Sequence, residues 1–264
     1  EDKMSIRFAC AVMEEEKAWA VLRNLSGIVE IDLQSCKSRL LTRFEGKGIL
    51  EDNLCGAIQK TGDYLAVAPM TGEEFYVYNL KNSSLLKYPF IGKQESKFWA
   101  SFGWGKRMYF VGCRYPGIVK IDVEDKEIKV IEIDADYQAE ISDVGIFGRS
   151  VGVFSDKAYI PVCGRNEDLV FDLGKEKYSF QKIGTVPHMA ICGDGRYLCL
   201  VPEKDGSIEI YDTKKRVLKE EIKMPKGIRG MMLNRWFCTA VFHCGYAWIF
   251  PYRSNMILRL ELNT

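Results

Sequence analysis

One phrase recurs along this chain: an alternating apolar strand that ends on Asp or a close relative and runs into a polar turn. It reads Gly27-Ile-Val-Glu-Ile-Asp32, Glu74-Phe-Tyr-Val-Tyr-Asn79, Gly117-Ile-Val-Lys-Ile-Asp122, Glu167-Asp-Leu-Val-Phe-Asp172, Gly206-Ser-Ile-Glu-Ile-Tyr-Asp212 and Met256-Ile-Leu-Arg-Leu-Glu261. The six copies are spaced 40 to 50 residues apart. The positions one and three before each terminal polar residue are apolar everywhere except at Glu209. Alternation of this kind is strand periodicity, not helix periodicity.

Each copy has companions. An aromatic-rich or apolar strand precedes it, as in Tyr64-Leu-Ala-Val-Ala68 and Tyr197-Leu-Cys-Leu-Val201. Before that comes a strand of small residues, clearest at Met189-Ala-Ile-Cys-Gly-Asp-Gly-Arg196. After it comes a mixed Lys/Glu/apolar strand such as Lys126-Glu-Ile-Lys-Val-Ile-Glu-Ile133. Four strands, A to D, in about 45 residues make one propeller blade. The 264 residues hold six such units, so the expectation is a single all-β domain over 1–264, a β-propeller of six four-stranded blades. A seven-bladed ring or a fragment of a longer propeller is the alternative. The small inner strands, with Ala9, Ala11, Gly56, Ala57, Ala100, Gly152 and Ala190, suit crowding at an axis. The charged D strands suit an open edge. The sixth copy lacks a D strand, which Asp2 to Arg7 could supply.

The stretch Val186-Pro-His-Met-Ala-Ile-Cys-Gly-Asp-Gly-Arg-Tyr-Leu-Cys-Leu-Val201, followed by Gly206 to Asp212, resembles the YVTN-type propeller repeat. The resemblance is best in residues 186–212, partial in the first four repeats and weak in the sixth. It implies a propeller used for binding or, less often, for hydrolysis, and it selects no ligand. No Trp-Asp dipeptide ends a blade and no Gly-Gly doublet occurs, so WD and kelch repeats fit poorly.

Composition removes several function classes. Lys plus Arg is 37 and Asp plus Glu is 36, a net charge of +1. That balance argues against nucleic acid as a partner. The longest uncharged stretch, Trp236 to Tyr252, is broken by His243, Gly245 and Pro251, and reads as two buried strands rather than a membrane span. No signal peptide is visible at the start of the chain. Nine cysteines, with no Cys-x-x-Cys pair, sit mostly in apolar strand runs. Free thiols in a reducing compartment fit better than a disulfide framework, which points to the cytoplasm. No cofactor is indicated.

Two columns of side chains carry chemistry. Asp32, Asn79, Asp122, Asp172, Asp212 and Glu261 could suggest acid–base pairs, but each stands just before a tight turn, where such side chains bond their own backbone. Repetition in every blade makes that column scaffold. The second column follows strand B: Arg23, Arg114, Arg165, Lys204 and Arg253. In a propeller the B–C and D–A loops share a face, so five cations there would attract an anion, and Arg grips carboxylate or phosphate with two bonds. Trp99 and His188, at equivalent places in strand A, would shape the same mouth. His188 has one possible metal partner, His243, but the second histidine maps to the A–B turn, about 20 Å away at ~3.3 Å per strand residue. No metal site and no catalytic string is found. The sequence therefore predicts a non-catalytic binding propeller for a small anionic or carbohydrate ligand, or a protein partner. The alternative is a hydrolase or lyase acting on a lactone or sugar.

Overall fold

The computed structural model describes residues 8–22, 26–44, 54–90, 97–134, 145–193, 195–204, 206–228, 237–252 and 254–262. Every regular element among them is a β-strand. Blade 1 is β1 (Phe8–Glu14), β2 (Lys17–Leu22), β3 (Gly27–Asp32) and β4 (Ser38–Arg43). Blade 2 is β5 (Cys55–Thr61), β6 (Tyr64–Pro69), β7 (Glu74–Asn79) and β8 (Leu85–Pro89). Blade 3 is β9 (Phe98–Trp104), β10 (Arg107–Gly112), β11 (Gly117–Asp122) and β12 (Glu127–Glu132). Blade 4 is β13 (Gly152–Phe154), β14 (Lys157–Pro161), β15 (Asp168–Asp172) and β16 (Lys177–Gln181). Blade 5 is β17 (His188–Gly193), β18 (Tyr197–Pro202), β19 (Ile208–Asp212) and β20 (Val217–Ile222). Blade 6 is β21 (Phe237–His243), β22 (Tyr246–Pro251) and β23 (Leu258–Glu261). Each blade is a separate antiparallel sheet with its strands in chain order. This is the up-and-down, six-blade pattern that the repeats predict. The sixth sheet has three strands among the described residues, and Asp2 to Arg7, the expected fourth, lie outside them. No helix among the described residues is long and apolar enough to cross a membrane.

The chain divides into two compact units, residues 1–136 and 137–264, with three blades in each. Within each unit the apolar faces of successive blades pack together, because a sheet must bury such a face against another layer. Trp19, Val21 and Ile28 of blade 1 meet Ile58, Leu65, Val67 and Tyr76 of blade 2. Phe75, Phe90 and Phe98 join blades 2 and 3, with ring centroids 5.1 to 5.6 Å apart. In the second unit Tyr159 and Val170 meet Ile191, Leu198 and Leu200, and Val201 and Ile210 meet Phe237 and Ile249. Burial falls outwards: β11 is buried throughout, whereas its neighbour β12 has only exposed and half-buried residues.

In blades 1 to 5 the Asp column is scaffold, as its position before the turns suggests. Asp32 Oδ1 accepts from the N–H and hydroxyl of Ser35, Asn79 Oδ1 from the N–H of Lys81, and Asp122 Oδ1 from that of Glu124. Asp172 Oδ1 accepts from the N–H of Lys175, and Asp212 Oδ1 from those of Lys214 and Lys215. These N–H groups hold the carboxyls of Asp32, Asp172 and Asp212 below their ordinary range. Four residues after each of these five column members the chain turns left-handed, at Cys36, Ser83, Lys126, Glu176 and Arg216, with φ of 52° to 58°. L-residues pay about 1 kcal/mol there. Ser83→Gly and Lys126→Gly should therefore each raise stability by about 0.5 kcal/mol, once the greater freedom of glycine in the unfolded chain is deducted. Urea midpoints would read the gain, and a loss in both variants would refute it.

Candidate functional site

The densest polar chemistry among the described residues lies at the loop end of blades 4 and 5. His188 opens β17 and is 2% exposed. Asp168 opens β15 and is 1% exposed, and Glu209 sits inside β19, also at 1%. His188 Nδ1 lies 2.9 Å from Asp168 Oδ2, and Nε2 lies 3.1 Å from Glu209 Oε2. The backbone N–H of Thr185 donates to both Glu209 oxygens, at 3.1 and 3.0 Å, and its hydroxyl bonds Oε1 as well. Asn166 Nδ2 donates to the Thr185 carbonyl at 2.8 Å. A circuit of hydrogen bonds thus starts at Asn166, in the loop before β15, and returns to Asp168 at the start of that strand. A Cβ added to Gly184 would stand 2.2 Å from Glu209 Oε2 and 2.5 Å from His188 Cε1, so only glycine fits over the pair.

Burial by itself would discharge this imidazole, but two carboxylates hold its proton. Desolvation lowers the His188 pKa; the hydrogen bonds and charges of Asp168 and Glu209 outweigh it and hold the group up at about 9. Burial raises the Asp168 carboxyl above its ordinary value, partly offset by His188. Desolvation also pushes the Glu209 carboxyl up, yet His188 and Thr185 keep it below its ordinary value. The site is an imidazolium clamped between carboxylates, with both ring nitrogens engaged. The ring stands between the two carboxylates, so they do not share a coordination point. Among the described residues no group of three or more His, Cys, Asp or Glu side chains is placed to hold a metal.

A second bond orders the loops above the clamp. Glu203, 2% exposed, accepts the N–H of Gly164 at 2.5 Å, and its own N–H donates to the Pro187 carbonyl at 2.8 Å. Gly164 takes φ +76°, and the B–C turn of blade 4 needs it there. Arg165 and Lys204 are the sequence neighbours of that bonded pair, so the two cations are carried on adjoining, cross-linked turns. Lys204 is exposed and Arg165 half-buried.

The other expected site residues fall elsewhere. Arg114 is exposed on the B–C turn of blade 3, and Trp99 is half-buried near the start of β9, both in the first unit. Arg23 and Arg253 lie outside the described residues. His188 stands inside the wall rather than on its surface. Sequence reasoning does not find Asp168, Thr185, Glu203 or Glu209, although Glu209 announces itself as the single break in the apolar pattern of the repeat.

In the second unit the inner segments of the three blades converge on Ser150. Its Oγ accepts the Ala240 N–H at 2.9 Å and lies 2.8 Å from Thr239 Oγ1, while its backbone bridges in parallel to Ala190. Arg149, beside it, places its guanidinium 5.3 Å from the ring centre of Tyr252. Arg149 is thus a further cation held near the mouth end of the inner segments.

No protein-family model matches the sequence, and no curated protein sequence matches it. Solved structures do. A catalytically inactive histidine-to-alanine variant of virginiamycin B lyase from Staphylococcus aureus, solved with quinupristin, superposes with a TM-score of 0.74 at 14% identity, over 100% of this chain and 83% of the other. A streptogramin B lyase gives 0.70 at 13% identity, over 99% and 86%. The nidogen/laminin complex gives 0.55 at 10% identity, over 83% and 79%. Likeness at such identities reaches the architecture and not the activity, and on that architecture the chain is an all-β protein with the β-propeller fold.

Proposed function

We propose that this protein is a non-catalytic binding propeller that holds an anionic or acidic carbohydrate ligand at the loop end of blades 4 and 5, through Arg165 and Lys204. The observation that carries this reading is the pair of cross-links beneath those cations, Glu203 to Gly164 and Glu209 to Thr185. Turns fixed before the ligand arrives lose little freedom on binding. His188 supports the same reading, since both nitrogens are spent on carboxylates and neither is open to a substrate proton. Its part is to hold the loops in place. The reading of Arg23, Arg114 and Arg253 as ligand residues rests on the spacing of the B–C column alone, and that of Trp99 on its place in strand A.

The second reading, a hydrolase or lyase acting on a lactone or sugar, draws on the likeness to the two lyases. The residues from Val186 to Asp212 support kinship with YVTN-type repeats. All nine cysteines are free and five are buried, which supports a reducing compartment, the cytoplasm.

Calorimetric titration with glucuronate and with glucose 6-phosphate tests the binding reading. One of the two should bind with an affinity that falls as salt rises. Arg165→Ala together with Lys204→Ala should weaken it at least about tenfold and flatten the salt dependence. Absence of binding by both probes, or an unchanged affinity in the double variant, would overturn the assignment. Turnover of either probe would move the reading to the enzyme.

A further inference from the structure

A second reactive pair stands apart from the clamp, on the hairpin between β21 and β22. His243 pairs with Tyr246 across the strands, which leaves Cys244 and Gly245 as a two-residue loop. Both loop residues have positive φ, 49° and 82°, the twist that a tight antiparallel hairpin requires. Cys244 and His243 are both exposed, and His243 Nε2 lies 3.2 Å from Cys244 Sγ. An accessible thiol within hydrogen-bond reach of an imidazole is the arrangement by which a base assists a sulfur nucleophile.

The rest of the chain provides the contrast. Cys36 is the other exposed thiol and also sits in a left-handed turn position, with φ +54°. It has no imidazole beside it, because the chain has two histidines and His188 is locked between carboxylates. Five of the remaining seven cysteines are buried and two are half-buried. Burial pushes the thiols of Cys10, Cys55 and Cys238 up, away from the reactive thiolate. The exposed pair, and not the sulfur alone, sets Cys244 apart.

We propose that Cys244 is a thiol-modification site assisted by His243, with low-molecular-weight disulfides such as oxidised glutathione as its reactants. The Cys244 sulfur attacks one glutathione sulfur as the His243 imidazole takes the thiol proton. A protein–glutathione S–S bond forms, the glutathione S–S bond breaks, and the departing thiolate collects the proton from the imidazolium. One disulfide replaces another, so no further oxidant is needed.

The test uses the whole native chain with a limiting amount of oxidised glutathione at neutral pH. Acid quenching and peptide mass spectrometry then follow Cys36 and Cys244 in one sample. Cys244 should be modified about tenfold faster than Cys36. His243→Asn, in an exposed turn and checked for an unchanged melting curve, should bring the two rates together while leaving that of Cys36 unaltered. Equal rates in the native protein would overturn the proposal. So would a preference for Cys244 that survives His243→Asn.

Discussion

Replacing His188 with leucine is expected to cost the fold about 3–5 kcal/mol, the range for removing one partner from a buried ionic group. The substitution leaves Asp168 and Glu209 charged, buried and without the imidazolium that lies between them. The two carboxylates join strand C of blade 4 to strands A and C of blade 5, so the loss should spread across both blades rather than stay in one loop. Urea denaturation gives the size of the effect. Adding Glu209→Gln to His188→Leu should recover about 1–2 kcal/mol, because one stranded charge is gone. A loss below about 1 kcal/mol in the single variant would mean that the clamp is not ionic.

The same clamp dictates a pH dependence. In the unfolded chain the imidazole releases its proton near pH 6.5; in the fold it keeps it until about 9. Its contribution, about 3 kcal/mol by linkage, is fully present below pH 6.5. It declines as the unfolded state loses its proton and the folded state does not, and it is lost once pH passes about 9. The acid side is less clean. The lowered pKa of Glu209 costs stability as pH falls through it, whereas the raised pKa of Asp168 works in the opposite sense. The wild-type stability minus that of His188→Leu, followed from pH 6 to 9.5, should therefore fall towards the alkaline end.

The strands, the blade count and the turn role of the Asp column are legible in the sequence because each is local. Alternation needs only neighbouring residues, and an Asx turn closes within three or four of them. The clamp is not local. Asp168, His188 and Glu209 are each about 20 residues from the next: His188 meets Glu209 across the sheet of blade 5, and Asp168 joins them only because blade 4 packs on blade 5. Charge at Asp168 looks like the polar start of a strand until His188 is set beside it. Glu209 was the one readable clue, since a carboxylate in an inward-facing strand position must find a partner. The cationic column is half of each kind. Its spacing is visible in the repeat, but the bond from the Gly164 N–H to Glu203, which ties the turn of Arg165 to that of Lys204, spans 39 residues.

The largest steric effect is expected at Gly56, on the inner strand β5. A Cβ there would lie 1.9 Å from the Phe98 carbonyl oxygen and 3.1 Å from its carbon, with the Met70 methyl 2.9 Å away. The first two atoms are backbone of the neighbouring inner strand, held in register by the Gly112 and Ala100 pairings of β9 with β10. They cannot swing aside as a side-chain tip would. Gly56→Ala must push blades 2 and 3 apart along Phe98, which is fully buried among Phe75, Phe90 and Tyr115. The expected cost is about 3 kcal/mol or more, the upper end for overpacking a filled core. Gly62→Ala separates this crowding from backbone strain. Gly62, in the turn just after the same strand, has φ +51° and nothing within 4 Å of its would-be Cβ, so only the left-handed backbone counts against alanine, about 1 kcal/mol. If the two variants lose the same stability, the inner strands are not in contact at Gly56. A loss at Gly56 several times that at Gly62 would show that the small inner-strand residues of the repeat are there because neighbouring blades meet backbone to backbone.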